Sequence, residues 1–543
     1  MRTPWLLLSA LAIGSAACAH PGVPAASSPS PAGEAGPSGA PKGPLAWATL
    51  EPATFARARA EGRFVVIDGA AEWCHWCHVM EATTYHDPEV RRLLDAHFVA
   101  VKVDVDARPD FEERYGAWGW PATVLMTADG RELGKYRGYL APEKFLEILQ
   151  AVVASSSASG GDGGVDGAAE AEAKPLGEAE LTAVAAWTQK ELDDYWDPRE
   201  GSWGRPQKVP LAWNNAWELS RARAGDSTAR QRALFSLGRQ RALVDPVWGG
   251  ICQYSTDGDW RHPHYEKLMT YQAGAIDNYA ATYALTGDPT WLGTAQAVRG
   301  FVDRFMTGPE GGFYTTMDAD LNAHDAGKPY LPGQQYYALG DVERRALGIP
   351  RVDTHEYARE NGLTIAAYVT LAQAGDDPGA LAAAERAARR ILATHAAGQG
   401  GVLHGPHGEG ESGKVLYLAD NAAFGFGLAR LYEATRRPEY LEAARKLAAV
   451  LTGPLLDAKG GGFYASTPDP DAVGVFAARR RPFEDNVMAI RFLARMQQLA
   501  PDDGYRDAIA RALPVVATRE AIGERGRMVG DLLLALEETR GLR

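Results

Sequence analysis

The chain has 543 residues, of which 46% are hydrophobic and 23% are charged. This length exceeds what one hydrophobic core usually organises, and the composition argues against a disordered chain or a multi-span membrane protein, so we predict at least two globular domains. The formal net charge of -13 disfavours nucleic acid as a partner, because binding to a phosphate backbone depends on clustered Lys and Arg.

Residues 1–18 have the pattern of an export signal. A short apolar run follows Arg2 and gives way to small residues that end at Cys18. The pattern resembles a bacterial lipoprotein signal, in which Cys18 is lipidated; ordinary cleavage and a retained anchor are the alternatives. Residues 19–44, rich in Pro, Ala, Gly and Ser, predict a disordered tether. We therefore expect an exported protein of the cell envelope, held at the membrane only through a lipid anchor.

Strand-like and helix-like segments alternate through residues 45–153. An apolar, β-branched run at 64–68 predicts a buried strand. The sequence further predicts helices over 55–60, 88–97, 111–115 and 142–152, and strands over 98–105, 124–126 and 132–136. Such alternation favours an α/β domain with a parallel or mixed sheet.

Two cysteines lie where the first predicted strand gives way to a helix, in the motif Cys74-His75-Trp76-Cys77-His78. A thiolate at a helix N-terminus faces unpaired N–H groups, which lower the pKa of the thiol, so Cys74 is the expected nucleophile and Cys77 the resolving thiol. We favour this redox chemistry, with no cofactor and no metal. Three alternatives stay open: covalent haem attachment, zinc or copper binding by the thiolates with His75 or His78, and a structural disulfide.

The histidines of this motif have different expected roles. A cationic His75 between the thiols would stabilise the Cys74 thiolate and make the couple more oxidising. His78 lies at the start of the helix, where it could cap or pack instead of supporting the chemistry. Further along, Pro121 directly precedes a predicted strand, a position where a cis peptide bond can occur.

Residues 154–176 contain almost no large side chain and predict a flexible linker. Residues 177–543 predict a helical domain with internal repeats. A glycine-aromatic break recurs at Ser202-Trp203-Gly204, Trp248-Gly249-Gly250, Gly311-Gly312-Phe313-Tyr314, Gly400-Gly401-Val402 and Gly461-Gly462-Phe463-Tyr464. An acid or amide followed by Asn is predicted to open a helix at Asn214-Asn215, Asp277-Asn278, Glu360-Asn361, Asp420-Asn421 and Asp485-Asn486. About six helical hairpins therefore predict an (α/α)6 toroid, whose inner helices begin around one mouth.

That geometry would gather the repeated acids around one cavity. The candidates are Asp277, Glu360, Asp420 and Asp485, for which helix capping is the alternative role. A second cluster, His262, His264 and Glu266, could supply an acid/base pair or belong to a surface loop. Aromatic side chains that could stack on a sugar, or simply form the core, are Trp203, Trp213, Trp248, Trp260 and Tyr314.

These motifs together resemble one known family. The carrying strings are Ala71-Glu72-Trp73-Cys74-His75-Trp76-Cys77-His78-Val79-Met80, Gly119-Trp120-Pro121 and His262-Pro263-His264-Tyr265-Glu266-Lys267. They are similar to the thioredoxin-like family that is fused to a six-hairpin glycosidase-like toroid and includes spermatogenesis-associated thioredoxin-domain proteins. The resemblance implies an α/β thioredoxin-like domain followed by an all-α (α/α)6 toroid. It also makes Pro121 the cis-proline, Trp120 the source of the backbone on which a client chain docks, and Trp76 a supporting residue.

The leading hypothesis is an exported, membrane-anchored thiol-disulfide oxidoreductase or redox sensor. Its expected partners are thiols or disulfides of client proteins, and its toroid would bind a client or a glycan. One alternative is a carbohydrate-active toroid, hydrolase or epimerase-like, with a regulatory thioredoxin module; its chemistry would need paired carboxylates at set separations. Another is a metal-binding or scaffold protein.

Overall fold

The computed structural model describes residues 45–116, 119–155, 174–325, 327–398, 400–408 and 414–542. The expected signal sequence, the tether, Cys18 and most of the expected linker lie outside these residues, so their assignments stay predictions. Within the described part of the chain, no helix combines the length and the apolar character needed to cross a bilayer.

The first domain is built on a mixed four-stranded sheet with the strand order β2-β1-β3-β4. The strands are β1 (Phe64–Ala70), β2 (Phe98–Asp104), β3 (Ala122–Met126) and β4 (Glu132–Arg137). The helices are α1 (Pro52–Glu61), α2 (His75–Ala82), α3 (Pro88–His97), α4 (Pro109–Tyr115) and α5 (Pro142–Ser155). Strand β1 is parallel to β2 and antiparallel to β3, and every residue of β1 is buried. Burial on both faces explains why the apolar residues Phe64 to Ile67 follow one another rather than alternate with polar ones; Asp68 is the one charged residue of the strand.

Strands β1 and β3 bring the two motifs of this domain to the same end of the sheet. The last residue pair in their register is Gly69 with Ala122. The chain that leaves β1 towards Cys74 therefore starts beside the chain that enters β3 from Pro121. The Trp120–Pro121 peptide bond is cis, as the family resemblance predicted.

The second domain is a closed ring of helices. Its helices are α6 (Glu178–Asp194), α7 (Ala212–Arg223), α8 (Ser227–Gln240), α9 (Met269–Thr286), α10 (Pro289–Phe305), α11 (Gly333–Tyr337), α12 (Asp341–Leu347), α13 (Ala358–Gly375), α14 (Pro378–Thr394), α15 (Leu418–Thr435), α16 (Pro438–Thr452), α17 (Phe483–Leu499), α18 (Asp503–Val516), α19 (Arg519–Arg525) and α20 (Gly530–Glu538). Helices α7, α9, α13, α15, α17 and α20 each pack against the next, and α20 packs against α7. Each inner helix is backed by an outer one, which confirms the predicted (α/α)6 toroid.

Short strands connect the helices at the end of the ring where the inner helices begin. They are β5 (Trp196–Asp197), β6 (Ser202–Trp203), β7 (Tyr254–Ser255), β8 (Pro263–His264), β9 (Lys267–Leu268), β10 (Thr316–Met317) and β11 (Val352–Asp353). Strand β10 lies between β9 and β11 in a three-stranded sheet.

The repeated Asn residues and the repeated glycine-rich turns contact each other: the side-chain amide of the Asn hydrogen-bonds to the main chain of the turn. The Asn361 Oδ1 atom accepts a hydrogen bond from Phe313 N at 2.9 Å, and its Nδ2 donates to Phe313 O at 3.0 Å. Asn421 makes the same pair of hydrogen bonds, accepting from Val402 N and donating to Val402 O. The preceding Gly401 has φ +85°, and a Cβ atom there would lie 2.8 Å from Asn421 Oδ1, so both the turn and the close approach require glycine.

The equivalent amide on α9 is Gln272, which makes the same pair of hydrogen bonds to Ile251, directly after the Gly249-Gly250 break. Helix α9 begins at Met269, so Asp277-Asn278 lies two turns inside the helix. The prediction that Asp277-Asn278 opens a helix is therefore wrong. The cause is that Gln272, rather than an asparagine, makes the two hydrogen bonds to the main chain of the turn, and a sequence pattern based on Asn does not detect it.

Candidate redox site

Cys74 and Cys77 form a disulfide at the start of α2. Cys74 is the N-cap residue of that helix, and its Sγ accepts a hydrogen bond from Cys77 N at 3.2 Å. The two residues are only 4% and 8% exposed. A helix N-terminus and a backbone N–H donor both favour the thiolate form of Cys74 once the disulfide opens. The local geometry is thus suited to thiol exchange.

The toroid supplies a charged partner to this motif. The Nδ1 atom of His75 lies 2.7 Å from Oδ2 of Asp320, whose side chain is 2% exposed. The hydrogen bond to Asp320 raises the pKa of His75, against the opposing effect of burial. Burial disfavours ionisation of Asp320, but the hydrogen bond with His75, the nearby imidazole of His78 and the main-chain N–H of Gly333 outweigh it and hold the pKa of this carboxyl well below its usual range. His75 and Asp320 therefore form a hydrogen-bonded pair beside the disulfide, and this pairing favours the protonated form of His75.

Asp320 is held in place by its own domain. Its Oδ1 accepts a hydrogen bond from Gly333 N at 2.7 Å, and the Tyr330 hydroxyl donates to its Oδ2 at 3.0 Å. The carboxylate also follows β10 closely, so the short sheet fixes the loop on which it lies. The toroid thus presents a preorganised carboxylate to His75.

A second interdomain cluster lies on the next turn of α2. His78 Nε2 lies 2.9 Å from Glu72 O and 3.7 Å from Asp318 Oδ2. His324 Nε2, from the toroid, lies 2.8 Å from Glu72 O and 3.3 Å from Asp318 Oδ2. The rings of His78 and His324 meet edge to face at 4.6 Å. His78 therefore contacts the toroid, beyond the capping or packing role that its position allowed.

Exposed aromatic side chains from both domains flank the redox pair. Trp76 is 41% exposed and Tyr330, the donor to Asp320, is 50% exposed. Tyr139 lies 6.0 Å from Trp76, measured between ring centroids. Trp120 packs against the hydrophobic cluster that contains Cys74 and Cys77, stacked on Phe111 at 6.2 Å. Trp76 and Tyr330 are thus exposed aromatic side chains close to the redox pair.

The sequence analysis missed a buried acid in strand β1. Asp68 is 3% exposed, and burial raises its pKa to about 6, with the charge of Lys102 partly offsetting that effect. The available signal was a single acid inside an otherwise apolar strand, because an ionisable group is rarely buried without a role.

The first domain covers part of the toroid mouth. The Nη1 atom of Arg359 lies 2.9 Å from a carboxylate oxygen of Glu112. His404 links the domains as well, since its Nε2 lies 2.8 Å from Asp106 O and its Nδ1 lies 3.1 Å from Asp420 Oδ2. Burial opposes protonation of His404, but the charge and hydrogen bond of Asp420 outweigh it and raise its pKa to about 9. A protonated His404 can donate to both domains at once.

Three of the four repeated acids lie at this covered mouth. Glu360 and Asp420 line a cavity of about 30 Å³ between the domains, which has room for one or two water molecules. Asp485 lies near Arg359 and Glu112, and burial raises its pKa to about 7. A sugar cannot reach Glu360 or Asp420 through so small a space.

Asp277 lies apart from these acids, in a cavity of about 350 Å³ at the centre of the ring. Trp213 and Phe426 line the same cavity, together with a set of arginines, Arg359, Arg430, Arg491 and Arg495. All four of these arginines are paired with acids. Arg359 binds Glu112, Arg491 binds Glu538 through two nitrogens, and Arg430 and Arg495 both bind Glu433. The cavity thus mixes aromatic surface with polar groups.

The His262–Glu266 cluster is divided by the structure. His262 is half exposed and pairs with Asp259 at 3.0 Å. His264 stacks on Tyr254, and its Nδ1 lies 3.9 Å from Glu266, which is 3% exposed. The charge of Glu266 contributes to the raised pKa of His75, so this residue belongs to the surroundings of the redox pair.

Most of the candidate stacking aromatics form core. Trp203, Trp248 and Trp260 are at most 2% exposed, and Tyr314 packs against the same core. Trp213 alone among the five lines the central cavity. The recurring aromatic residues of this toroid therefore mainly form its hydrophobic core.

The fold and the site define a thioredoxin-like redox module joined to an (α/α)6 toroid. Residues 39–155 match the family model described as "Thioredox_DsbH: Protein of unknown function, DUF255". The family resemblance is confirmed: the chain carries the thioredoxin-like domain of that family and is similar, over 55% of its length, to spermatogenesis-associated protein 20 of Homo sapiens.

The human protein is 28% identical over 347 residues, and the mouse protein of the same name is 26% identical over 334. The chain matches only 42% of the length of each. The thiol:disulfide interchange protein DsbD of Cronobacter sakazakii is 32% identical over 108 residues, which cover 19% of each chain.

Solved structures resemble the toroid. Cellobiose 2-epimerase from Spirochaeta thermophila covers 66% of this chain and 96% of its own, with a TM-score of 0.50 at 16% identity. A D-mannose isomerase covers 68% of this chain and 98% of its own, with a TM-score of 0.50 at 10% identity. At such identities the likeness concerns the fold alone.

Proposed function

We propose that the chain is a thiol-disulfide oxidoreductase whose redox pair is Cys74 and Cys77, and whose toroid sets the electrostatic surroundings of that pair. The observation that carries the proposal is the His75–Asp320 contact, which ties the residue between the two cysteines to a buried carboxylate of the other domain. A purely structural disulfide has no need of a histidine between its cysteines that is paired with a buried carboxylate. The similarity of the first domain to thiol:disulfide interchange proteins supports the same chemistry.

The exchange begins from the disulfide. A client thiolate attacks Cys74 Sγ, a client–Cys74 disulfide forms, and Cys77 leaves as a thiolate. A second client thiolate then attacks the client sulfur of that bond, Cys74 leaves as a thiolate, and the client gains a disulfide while the Cys74–Cys77 pair gains two electrons. The reverse sequence reduces a client. Trp76 and Tyr330 would contact the client chain, and Trp120 and Pro121 would supply the docking backbone.

His75 would tune the couple in this scheme. An imidazolium beside Cys74 stabilises the thiolate and favours the reduced form, which makes the pair more oxidising. A His75→Ala variant should therefore have a more negative reduction potential, measured by equilibration with glutathione. An unchanged potential would remove His75 from the mechanism.

Trapping of clients tests the proposal as a whole. A Cys77→Ser variant should accumulate mixed disulfides through Cys74, visible on non-reducing gels and identifiable by mass spectrometry. The matched control is the Cys74→Ser/Cys77→Ser double variant, which retains the buried Cys252 and should form none. Absence of adducts in cells, together with absence of exchange with a model disulfide in vitro, would refute the proposal.

A second candidate function is glycan binding by the toroid. The cavity of about 350 Å³ supports it, because Trp213 can stack on a sugar face and Asp277 can accept hydrogen bonds from hydroxyl groups. An oligosaccharide that binds the full chain should lose affinity in Trp213→Ala and keep it in Cys74→Ser. Affinity that survives Trp213→Ala would place the sugar elsewhere.

We also propose that the protein acts in the cell envelope, on the strength of its first 18 residues. Metabolic labelling with a fatty-acid analogue should mark the wild-type chain and leave Cys18→Ala unmarked. A wild-type chain that takes up no label would argue against lipidation of Cys18.

A further inference from the structure

Four polar atoms converge where α2 meets the toroid. They are His78 Nε2, Glu72 O, His324 Nε2 and Asp318 Oδ2, and the three side-chain ligand atoms lie within 4.8 Å of one another. Two atoms belong to the first domain and two to the second. The cluster is separate from the cysteine sulfurs, which already bond to each other.

The spacing of these atoms suits a tetrahedral metal ion. Zinc binds imidazole nitrogen and carboxylate oxygen at roughly 2.0–2.2 Å, so neighbouring ligand atoms of a tetrahedral site lie about 3.3–3.5 Å apart. The distances from Asp318 Oδ2 to the Nε2 atoms of His324 and His78 are 3.3 and 3.7 Å. The distances from the two histidines to Glu72 O are 2.8 and 2.9 Å. Small shifts of side chains would therefore give four ligands around one ion.

Buried polar atoms in the cluster have unmet bonding capacity. Asp318 is 2% exposed, and its Oδ2 accepts no hydrogen bond from the residues that the structure describes. The Nδ1 atom of His78 likewise has no hydrogen-bond partner among them. It lies 3.9 Å from Asp320 Oδ2, so a shift of about 1 Å would let it donate to this carboxylate, as a metal-binding histidine does with its other N–H. A cation on the Nε2 side would satisfy Asp318 and orient His78.

We propose that His78, Asp318 and His324 bind one zinc-like divalent transition-metal ion, with Glu72 O or water as the fourth ligand, and that this ion joins the two domains beside the redox pair. The nitrogen and carboxylate donors suit zinc and exclude a calcium-type site, which is built from oxygen ligands alone. The site differs from a thiolate site at the Cys-x-x-Cys motif, because it needs neither cysteine.

The test is zinc binding by the full-length chain, prepared without a polyhistidine tag and stripped with a chelator. Competition with a chromophoric chelator should give one Zn²⁺ per chain in the wild type. His324→Ala should weaken binding by more than the roughly 10- to 100-fold that loss of an outer partner costs. His86→Ala is the matched control and should bind as the wild type does, since His86 is exposed and its hydrogen bond within the described part of the chain is to the main-chain carbonyl of Glu81.

Two further measurements make the result decisive. Co²⁺ in the same site should give the visible absorption of a four-coordinate ion in the wild type and not in Asp318→Asn, whose folding is checked by circular dichroism. Stoichiometric binding should persist in the Cys74→Ser/Cys77→Ser variant. Absence of Zn²⁺ binding in the wild type, equal affinity in His324→Ala, or loss of binding in the double cysteine variant would each overturn the proposal. None of these outcomes depends on disulfide exchange activity.

Discussion

Docking of the two domains should depend on pH through His404. Its pKa is raised from 6.5 to about 9, so the folded chain keeps a proton that the unfolded chain releases between these values. At 1.36 kcal/mol per pKa unit, this corresponds to about 3 kcal/mol of stability. The contribution is fully present below pH 6.5 and is lost as the pH rises through 9. A His404→Gln variant should therefore be about 3 kcal/mol less stable than the wild type at pH 6, with a difference that shrinks towards pH 10.

Urea unfolding from pH 6 to pH 10, followed by near-ultraviolet circular dichroism, measures this difference. His407→Gln is the control, because His407 is exposed and lies three residues further along the same segment. Its stability should run parallel to that of the wild type at every pH. A difference between His404→Gln and the wild type that stays constant with pH would refute the reasoning, since it would mean that His404 is neutral in the folded protein.

Three further predictions follow from single contacts. Burial raises the pKa of Asp68 from 3.8 to about 6, so ionisation of this residue destabilises the folded chain, fully so above pH 6. In urea unfolding, Asp68→Asn should be about 3 kcal/mol more stable than the wild type at pH 7 and equal to it below pH 4. Equal stability of the two proteins at pH 7 would contradict this prediction. Asn361→Ala removes three buried hydrogen bonds and should lower the free energy of unfolding by about 3 kcal/mol in the same assay. A loss below about 1 kcal/mol would mean that the glycine-rich turn keeps its conformation without Asn361. Asp320→Asn should lower the pKa of His75 in a histidine NMR titration, and an unchanged pKa would show that the pair does not form.

Local elements of the first domain were predictable because each carries its own signal. The helix predicted over 88–97 is α3, and the strand predicted over 64–68 is β1 with two more residues. The proline-led strand and the cysteine motif at a helix start were visible for the same reason. Pattern and capping chemistry act over a few residues, which is the range that sequence alone resolves.

The toroid was predictable at the level of its repeat and less so at the level of register. The Asn–glycine contact fixes three inner helices, α13, α15 and α17, to the turn that follows the preceding hairpin, so the two separated motifs belong to one interaction. Where Gln272 replaces Asn, the motif is hidden although the contact is kept. The structure places the acids next to these amides, such as Glu360 and Asp420, in a small cavity that residues of the first domain also line, and the sequence carried no sign of that cover.

The redox site was the least predictable part because half of it comes from the other domain. His75 and Asp320 are separated by 245 positions, and no local sequence pattern around either residue predicts their contact. The surroundings of His75 therefore depend on contact between the two domains. Asp320 is positioned by Gly333 and Tyr330, so it stays with the toroid if the domains separate, and His75 would then lose the hydrogen bond that raises its pKa. We therefore expect the protonation of His75 to depend on docking, and the prediction for His404 links docking in turn to the pH.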